Sequence, residues 1–170
     1  MSRKNKYILS IILFMTVLVI DQIIKVNVKT GMYLGERIEI TSWFSLVFVE
    51  NNGMAFGWEL WGGKLFLTLF RVVAVVLIGW FIYSEIKHRR PTGYIVCLTL
   101  IAAGAAGNII DCLFYGLIWD YAPFMFGKVV DMFSATFFPP VFNFADACVT
   151  CGAFYLIFFQ WKFFASNDKN

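Results

Sequence analysis

Val129-Val130-Asp131-Met132-Phe133 leads through Pro139-Pro140 into Phe142-Asn143-Phe144-Ala145-Asp146, where an apolar run towards Phe164 begins. Asp131 falls in a polar connecting segment, and Asp146 lies at the mouth of that run. A carboxylate at the mouth of a membrane helix is costly to hold there, so it reads as functional. Two carboxylates that can meet predict one shared proton and acid/base chemistry on an amide bond.

Working outward, composition sets the solvent. Of 170 residues, 60% are hydrophobic, 19% aromatic and only 15% charged. A soluble domain is roughly 45–50% apolar. The apolar residues fall in four blocks, each near the ~20 residues that cross a hydrocarbon core as helix. They predict transmembrane helices over 7–24, 65–83, 94–115 and 142–164, in one integral membrane domain spanning 1–170. The fold class expected is an all-α polytopic membrane protein with a small extracytoplasmic β-rich platform. A net charge of +3 argues against a nucleic-acid partner.

The first block follows Arg3, Lys4 and Lys6. It is too long for a signal-peptide core, lacks a small-x-small cleavage site, and ends in Asp21-Gln22-Ile23-Ile24-Lys25, so it reads as a retained helix. Between residues 26 and 63, glycines and the Asn51-Asn52-Gly53 turn punctuate two β-patterned runs, Arg37–Thr41 and Trp43–Glu50. Trp43, Trp58 and Trp61 suit a headgroup-level platform. The second helix carries Arg71, and Lys87, His88, Arg89 and Arg90 follow it. Residues 116–140 form an aromatic, Gly-punctuated linker.

The basic residues Arg3, Lys4, Lys6, Lys87, Arg89, Arg90, Lys162 and Lys169 outweigh Lys25, Lys29, Arg37, Lys64 and Lys128. That bias predicts cytoplasmic termini. Asp21, Asn51, Asn52, Asn108, Asp111, Asp131, Asn143 and Asp146 then converge at the outer membrane boundary.

Gly104, Gly107, Asn108 and Asp111 make one stripe of small and polar residues, which reads first as a helix–helix contact. Asn108 and Asp111 read as structural support. Asp21 and Lys25 form an i,i+4 pair, either an interfacial ion pair or a lysine reaching lipid phosphate. Arg71 either snorkels outward or pairs with Asp21 or Asp111. The four cysteines read as small packing residues. With His88 the single histidine, serine, cysteine and zinc peptidase constellations are excluded. The rival to a peptidase is a small proton- or cation-coupled transporter, although no broken helix or inverted repeat marks one.

Asp21-Gln22-x-x-Lys25, Asn52-Gly53-Met54-Ala55-Phe56, Gly104-Ala105-Ala106-Gly107-Asn108-Ile109-Ile110-Asp111, Val129–Phe133 and Phe142–Asp146 occur in this order. Together they resemble the bacterial lipoprotein signal peptidases (signal peptidase II). The resemblance implies an inner-membrane aspartyl endopeptidase with four helices and a periplasmic β-cradle. It implies substrates that are diacylglyceryl-modified prolipoproteins, cut before the lipidated cysteine. Asp131 and Asp146 would be the catalytic dyad. Asp21, Lys25, Asn51 or Asn52, Gly53, Asn108, Asp111 and Asn143 would support the site or bind substrate, and the Asn-x-Gly spacing favours Asn51. No metal or organic cofactor is expected, and the enzyme is expected to act as a monomer among membrane lipid. Two departures stand out: Cys112 occupies a place where the family usually has arginine, and the linker carries extra aromatic sequence over Tyr115–Gly127. The first predicts that Arg71 replaces the missing partner of Asp111.

Overall fold

The computed structural model describes residues 1–53 and 63–159. Met54-Ala55-Phe56, Trp58, Trp61, Lys162, Lys169 and the expected end of the last helix near Phe164 lie outside the described residues.

Helix α1 covers Arg3–Gly31, capped by Ser2, whose hydroxyl accepts from the Asn5 N–H at 3.2 Å. It runs well past the Ile24 end expected from sequence. Asp21, Lys25 and Val28 fall on one inward stripe at i, i+4 and i+7, and all are buried. That stripe continues the helix through residues whose β-branched and Asn/Gly composition read as loop. The β-rich segment therefore starts after Gly31, not at residue 26.

Helix α2 spans Gly63–Lys87. Helix α3 spans Thr92–Ile110, continues as a π turn over Asp111–Tyr115, and closes in the short α4, Gly116–Ile118. Helix α5 covers Phe144–Phe159. Among the described residues three helices are long and apolar enough to cross a membrane: Arg3–Gly31, Gly63–Lys87 and Thr92–Ile118. Helix α5 is apolar but shorter in its described part. In the most apolar stretch of α3 61% of residues are buried, against 11% in α1 and 6% in α2. Helix α3 is thus the central post, and the outer helices turn residues such as Ile11, Phe70 and Trp80 outward. A helix exposing such side chains belongs in lipid.

A four-stranded antiparallel sheet sits at one end of the bundle in the order β1 (Arg37–Glu39), β2 (Phe44–Asn51), β3 (Val129–Ala135), β4 (Phe138–Phe142). Here the sequence reading needs correction. Asp131 is not in a connecting segment; it lies in a strand paired with β2, and Phe142 belongs to β4 and not to the last helix. Strand β3 escaped notice because its first four residues are all buried, so Val129–Met132 lack the alternation that betrays a half-buried strand. Pro139 and Pro140 fit because β4 is an edge strand. Val28, Phe48, Tyr115, Val130 and Met132 form the core that seats the sheet on α1 and the π turn.

At the opposite end, Ile82, Ile86, Tyr94, Ile95 and Leu98 make a second core. There the buried Lys6 ammonium donates to the Arg90 carbonyl and the Tyr7 hydroxyl to the Tyr83 carbonyl. The N-terminus and the α2–α3 connection therefore share one end, and the sheet occupies the other.

Candidate active site

Where α1, α3 and α5 meet under the sheet, the helix polar residues come together. The glycine stripe makes this approach possible. A Cβ on Gly104 would collide with the Ala145 carbonyl of α5, and one on Gly107 would stand 2.6 Å from Asp21 Oδ2. The packing reading of the stripe thus matches the structure, and Gly107 also makes room for an acid.

Lys25 is fully buried, so it does not reach lipid phosphate; its ion pair with Asp21 forms, inside the bundle and not at the interface. Its Nζ lies 2.9 Å from Asp21 Oδ2 and 2.8 Å from Asp111 Oδ2, and it donates to Asn108 Oδ1 at 2.8 Å. Asp111 therefore keeps a positive partner, which overturns the expectation that Arg71 supplies it. The two acids also reach outward. Asp21 accepts from the Ala145 N–H at 3.0 Å, and Asp111 accepts from the Val130 N–H at 3.3 Å. One anchors the start of α5 and the other the start of β3. Gln22, which the sequence reading did not single out, donates to Asp111 Oδ1 at 3.0 Å and accepts from the Tyr115 hydroxyl at 3.1 Å. Its signal was present: a second polar residue beside Asp21 in an apolar helix.

Those anchors bring the two key aspartates to one network of amides. Asn143 precedes α5 and caps it reciprocally with Asp146: Asn143 Oδ1 accepts from the Asp146 N–H at 2.9 Å, and Asp146 Oδ2 from the Asn143 N–H at 3.2 Å. The pair is therefore joined by a cap and does not simply share a helix face. With its oxygen occupied, the buried Asn143 turns its Nδ2 to Asp131 Oδ1 at 2.6 Å and Asn108 Oδ1 at 3.0 Å. Asn108 in turn donates to Asp146 Oδ1 at 2.8 Å. Lys25, Asn108, Asn143 and the two acids thus form one connected system.

Asp131 is 3% exposed. Burial pushes its carboxyl up from the ordinary 3.8 to about 6; the Asp146 charge adds to the rise, while hydrogen bonds from Asn51 and Asn143 and the Lys25 charge oppose it. Asp146 is half-buried and opens into an apolar cleft of about 610 Å³ lined by Trp43, Phe44, Phe137, Phe142 and Thr150.

Of the doubled asparagines, Asn51 reaches Asp131, donating to Oδ2 at 3.1 Å, whereas Asn52 accepts from Lys64 Nζ at 3.1 Å. In the sheet register Asp131 stands opposite Val49, so Asn51 reaches it diagonally. Beside them, Glu50 pairs with Lys29 and, at 3.2 Å, with Lys128. Burial raises the Glu50 carboxyl, but its two lysine partners outweigh that and hold it below its ordinary value. Among the described residues no group of three or more His, Cys, Asp or Glu side chains is placed to hold a metal ion.

Apolar helices around a buried polar cluster, roofed by a small sheet, define a helical membrane protein with an acid-containing site at one end. The model of the signal peptidase (SPase) II family matches residues 13–162, and the chain belongs to that family. It is 40% identical to a lipoprotein signal peptidase of Porphyromonas gingivalis, over 85% of this chain and 79% of the relative. It is 33% identical to that of Chlorobaculum parvum, over 90% of this chain and 95% of the relative. A solved bacterial membrane enzyme superposes with a TM-score of 0.73 at 27% identity, covering 95% of this chain and 91% of its own. The transporter alternative finds no support in these comparisons.

Proposed function

We propose that the chain is the aspartyl endopeptidase that removes signal peptides from diacylglyceryl-modified prolipoproteins, with Asp131 and Asp146 as its dyad. Family membership and the lipoprotein signal peptidases among its relatives support the substrate class. The observation that carries the dyad is the shared amide network. Asn143 donates to Asp131 while its backbone N–H donates to Asp146, and Asn108 completes the link.

Two neighbouring carboxylates near a low-dielectric boundary cannot both ionise easily, so one keeps its proton. The ionised member takes a proton from water, and the resulting hydroxide attacks the scissile carbonyl carbon. The protonated member donates to the carbonyl oxygen, giving a neutral tetrahedral intermediate. Collapse expels the amine of the lipidated cysteine, which leaves with a proton returned by the pair, and frees the signal peptide as a carboxylic acid. The apolar cleft beside Asp146 gives lipid-embedded substrate a side approach to the acids.

In this reading α5 belongs to the fourth membrane span of a single domain. Both termini face the cytoplasm of the inner membrane, and the sheet lies on the periplasmic boundary as a cradle. Asp21, Lys25, Asn51, Gly53, Asn108, Asp111 and Asn143 hold the dyad in place. Asn52, on the same turn, accepts from Lys64 and lies beside the support residues.

Cleavage of a lipidated prolipoprotein by the purified protein tests the reading. Asp131→Asn and Asp146→Asn each keep side-chain volume and should lower turnover by orders of magnitude while the protein still accumulates in the membrane. Near-normal cleavage by either variant would remove the dyad assignment.

A further inference from the structure

Arg71 sits about 12 Å into α2, counting 1.5 Å per residue from Gly63. A charged side chain at that depth of an apolar helix is costly and normally faces a polar partner. Arg71 has no carboxylate partner among the described residues, because Lys25 holds both Asp21 and Asp111. Its guanidinium donates instead to the Gly53 carbonyl at 3.2 Å and to the Cys112 sulfur at 3.3 Å.

We propose that Arg71 is a positioning residue of the peptidase site: by pinning the Gly53 turn, it fixes which end of the Asn51 amide faces Asp131.

Three features carry this. Asn51 is exposed at the end of β2, so packing does not hold its side chain. What orients it is the Gly53 N–H, which donates to Asn51 Oδ1 at 2.7 Å. With the oxygen taken, only the Nδ2 end is left to face Asp131 Oδ2, as a donor to a carboxylate must. The Gly53 turn is itself held from outside. Gly53 has a φ of +72°, which L side chains rarely adopt, and a Cβ there would stand 2.5 and 2.7 Å from the two guanidinium nitrogens of Arg71. Glycine is therefore required both for the turn and for the close approach of the guanidinium. Cys112, buried on the π turn, accepts from the other guanidinium nitrogen and so fixes the arginine against α3.

The inference rests on the dyad reading above, since it acts through Asp131. A hydrogen bond to a charged group favours its ionised form. Of the charged groups, Asp146 from α5 and Lys25 from α1 face Asp131, and Asn51 and Asn143 donate to it. Loss of the Asn51 bond should therefore move the pH limb of kcat/KM that reports the pair to higher pH.

The test compares Arg71→Leu, Arg71→Lys, Asn51→Ala and the Arg71→Leu/Asn51→Ala double variant of the full chain, reconstituted with a lipidated prolipoprotein. Losing a hydrogen bond to a charged group corresponds to a drop in kcat of about 10- to 100-fold. That drop, a nearly unchanged KM and the upward pH shift are expected in Arg71→Leu and in Asn51→Ala. The double variant should be no worse than Asn51→Ala alone, because both break one chain of contacts. Arg71→Lys keeps a donor for the Gly53 carbonyl and should recover part of the activity. Wild-type kcat and pH limb in Arg71→Leu, or additive losses in the double variant, would overturn the relay. If Arg71→Leu does not accumulate, Arg71→Met, which also lacks a donor for the Gly53 carbonyl, carries the same comparison with the same deciding outcomes. Asp131→Asn and Asp146→Asn, assayed alongside, separate the two claims. If both are inactive while Arg71 variants behave as wild type, the dyad stands and the relay falls; if either cleaves normally, the dyad itself falls.

Discussion

At the scale of single residues, carboxylates here do opposite kinds of work. Glu50 is held ionised by two lysines, so it contributes stability above its ordinary pKa that is lost as pH falls. Asp131 is the reverse. Its native pKa is raised from 3.8 to about 6, so between those values the folded chain binds more protons than the unfolded one. Stability then falls as pH rises through that window and levels off above it. The thermal midpoint of the purified protein in detergent should therefore carry a downward contribution from about pH 4 to about pH 6.5. In Asp131→Asn that contribution should vanish, making the difference between variant and parent depend on pH only inside this window. A difference that is constant with pH would mean that Asp131 titrates normally and that burial does not govern it. Lys25 shows why such acids must be read together: it answers both Asp21 and Asp111, leaving Arg71 free for the Gly53 carbonyl.

At the scale of elements, the π turn joins the helices to the sheet. Winding Asp111–Tyr115 as a π turn leaves carbonyls that the returning linker uses: the Gly127 N–H donates to the Cys112 carbonyl at 2.9 Å and the Met125 N–H to the Leu113 carbonyl at 3.1 Å. Those bonds deliver the chain into β3, four residues before Asp131. Backbone contact this close leaves no room at Gly127, where a Cβ would collide with the Asp111 carbonyl. Gly127→Ala should lower both the thermal midpoint and cleavage, whereas Gly31→Ala, with nothing near its Cβ, should leave cleavage unchanged. Equal, mild effects would show that the linker does not depend on this docking. Helix membership was largely legible in the sequence, because Ile, Leu, Phe and Val blocks of bilayer length have few alternative readings. The polar residues of the candidate site were legible for the related reason that an acid or amide in such a block stands out. Strand β3 was not legible, since a run buried on both faces loses its alternation. The last turns of α1 were missed because Lys25 and Val28 are held by tertiary partners, not by local propensity. Which acid Lys25 serves depends on helix packing, which spacing along one helix cannot show.

At the scale of the whole molecule, charge and polarity segregate to opposite ends. Arg3, Lys4, Lys6, Lys87, His88, Arg89 and Arg90 gather where α1 begins and α2 meets α3, joined there by the contact of Lys6 with the Arg90 carbonyl. The sheet end also carries cations, but Lys25, Lys29 and Lys128 are paired with acids. The positive charge free to be retained in the cytoplasm lies mainly at the first end, and retention of such charge sets orientation. The sheet also needs the segments before α2 and before α5 on one side of the membrane, because β2 pairs with β3 across them. An even number of crossings between β2 and β3 satisfies this: α2 leads away from the sheet and α3 returns. In the orientation proposed above, the candidate dyad opens towards the periplasm, where a signal peptide emerging from translocation presents its cleavage site. Single cysteines introduced at Tyr33, Thr41 and His88, in a background with the four native cysteines replaced, test that arrangement. A membrane-impermeant maleimide should label Tyr33→Cys and Thr41→Cys in intact spheroplasts, and His88→Cys only after the membrane is opened. The opposite pattern would place the sheet and both aspartates on the cytoplasmic face, and mixed labelling of each site would mean that the bundle inserts in both directions.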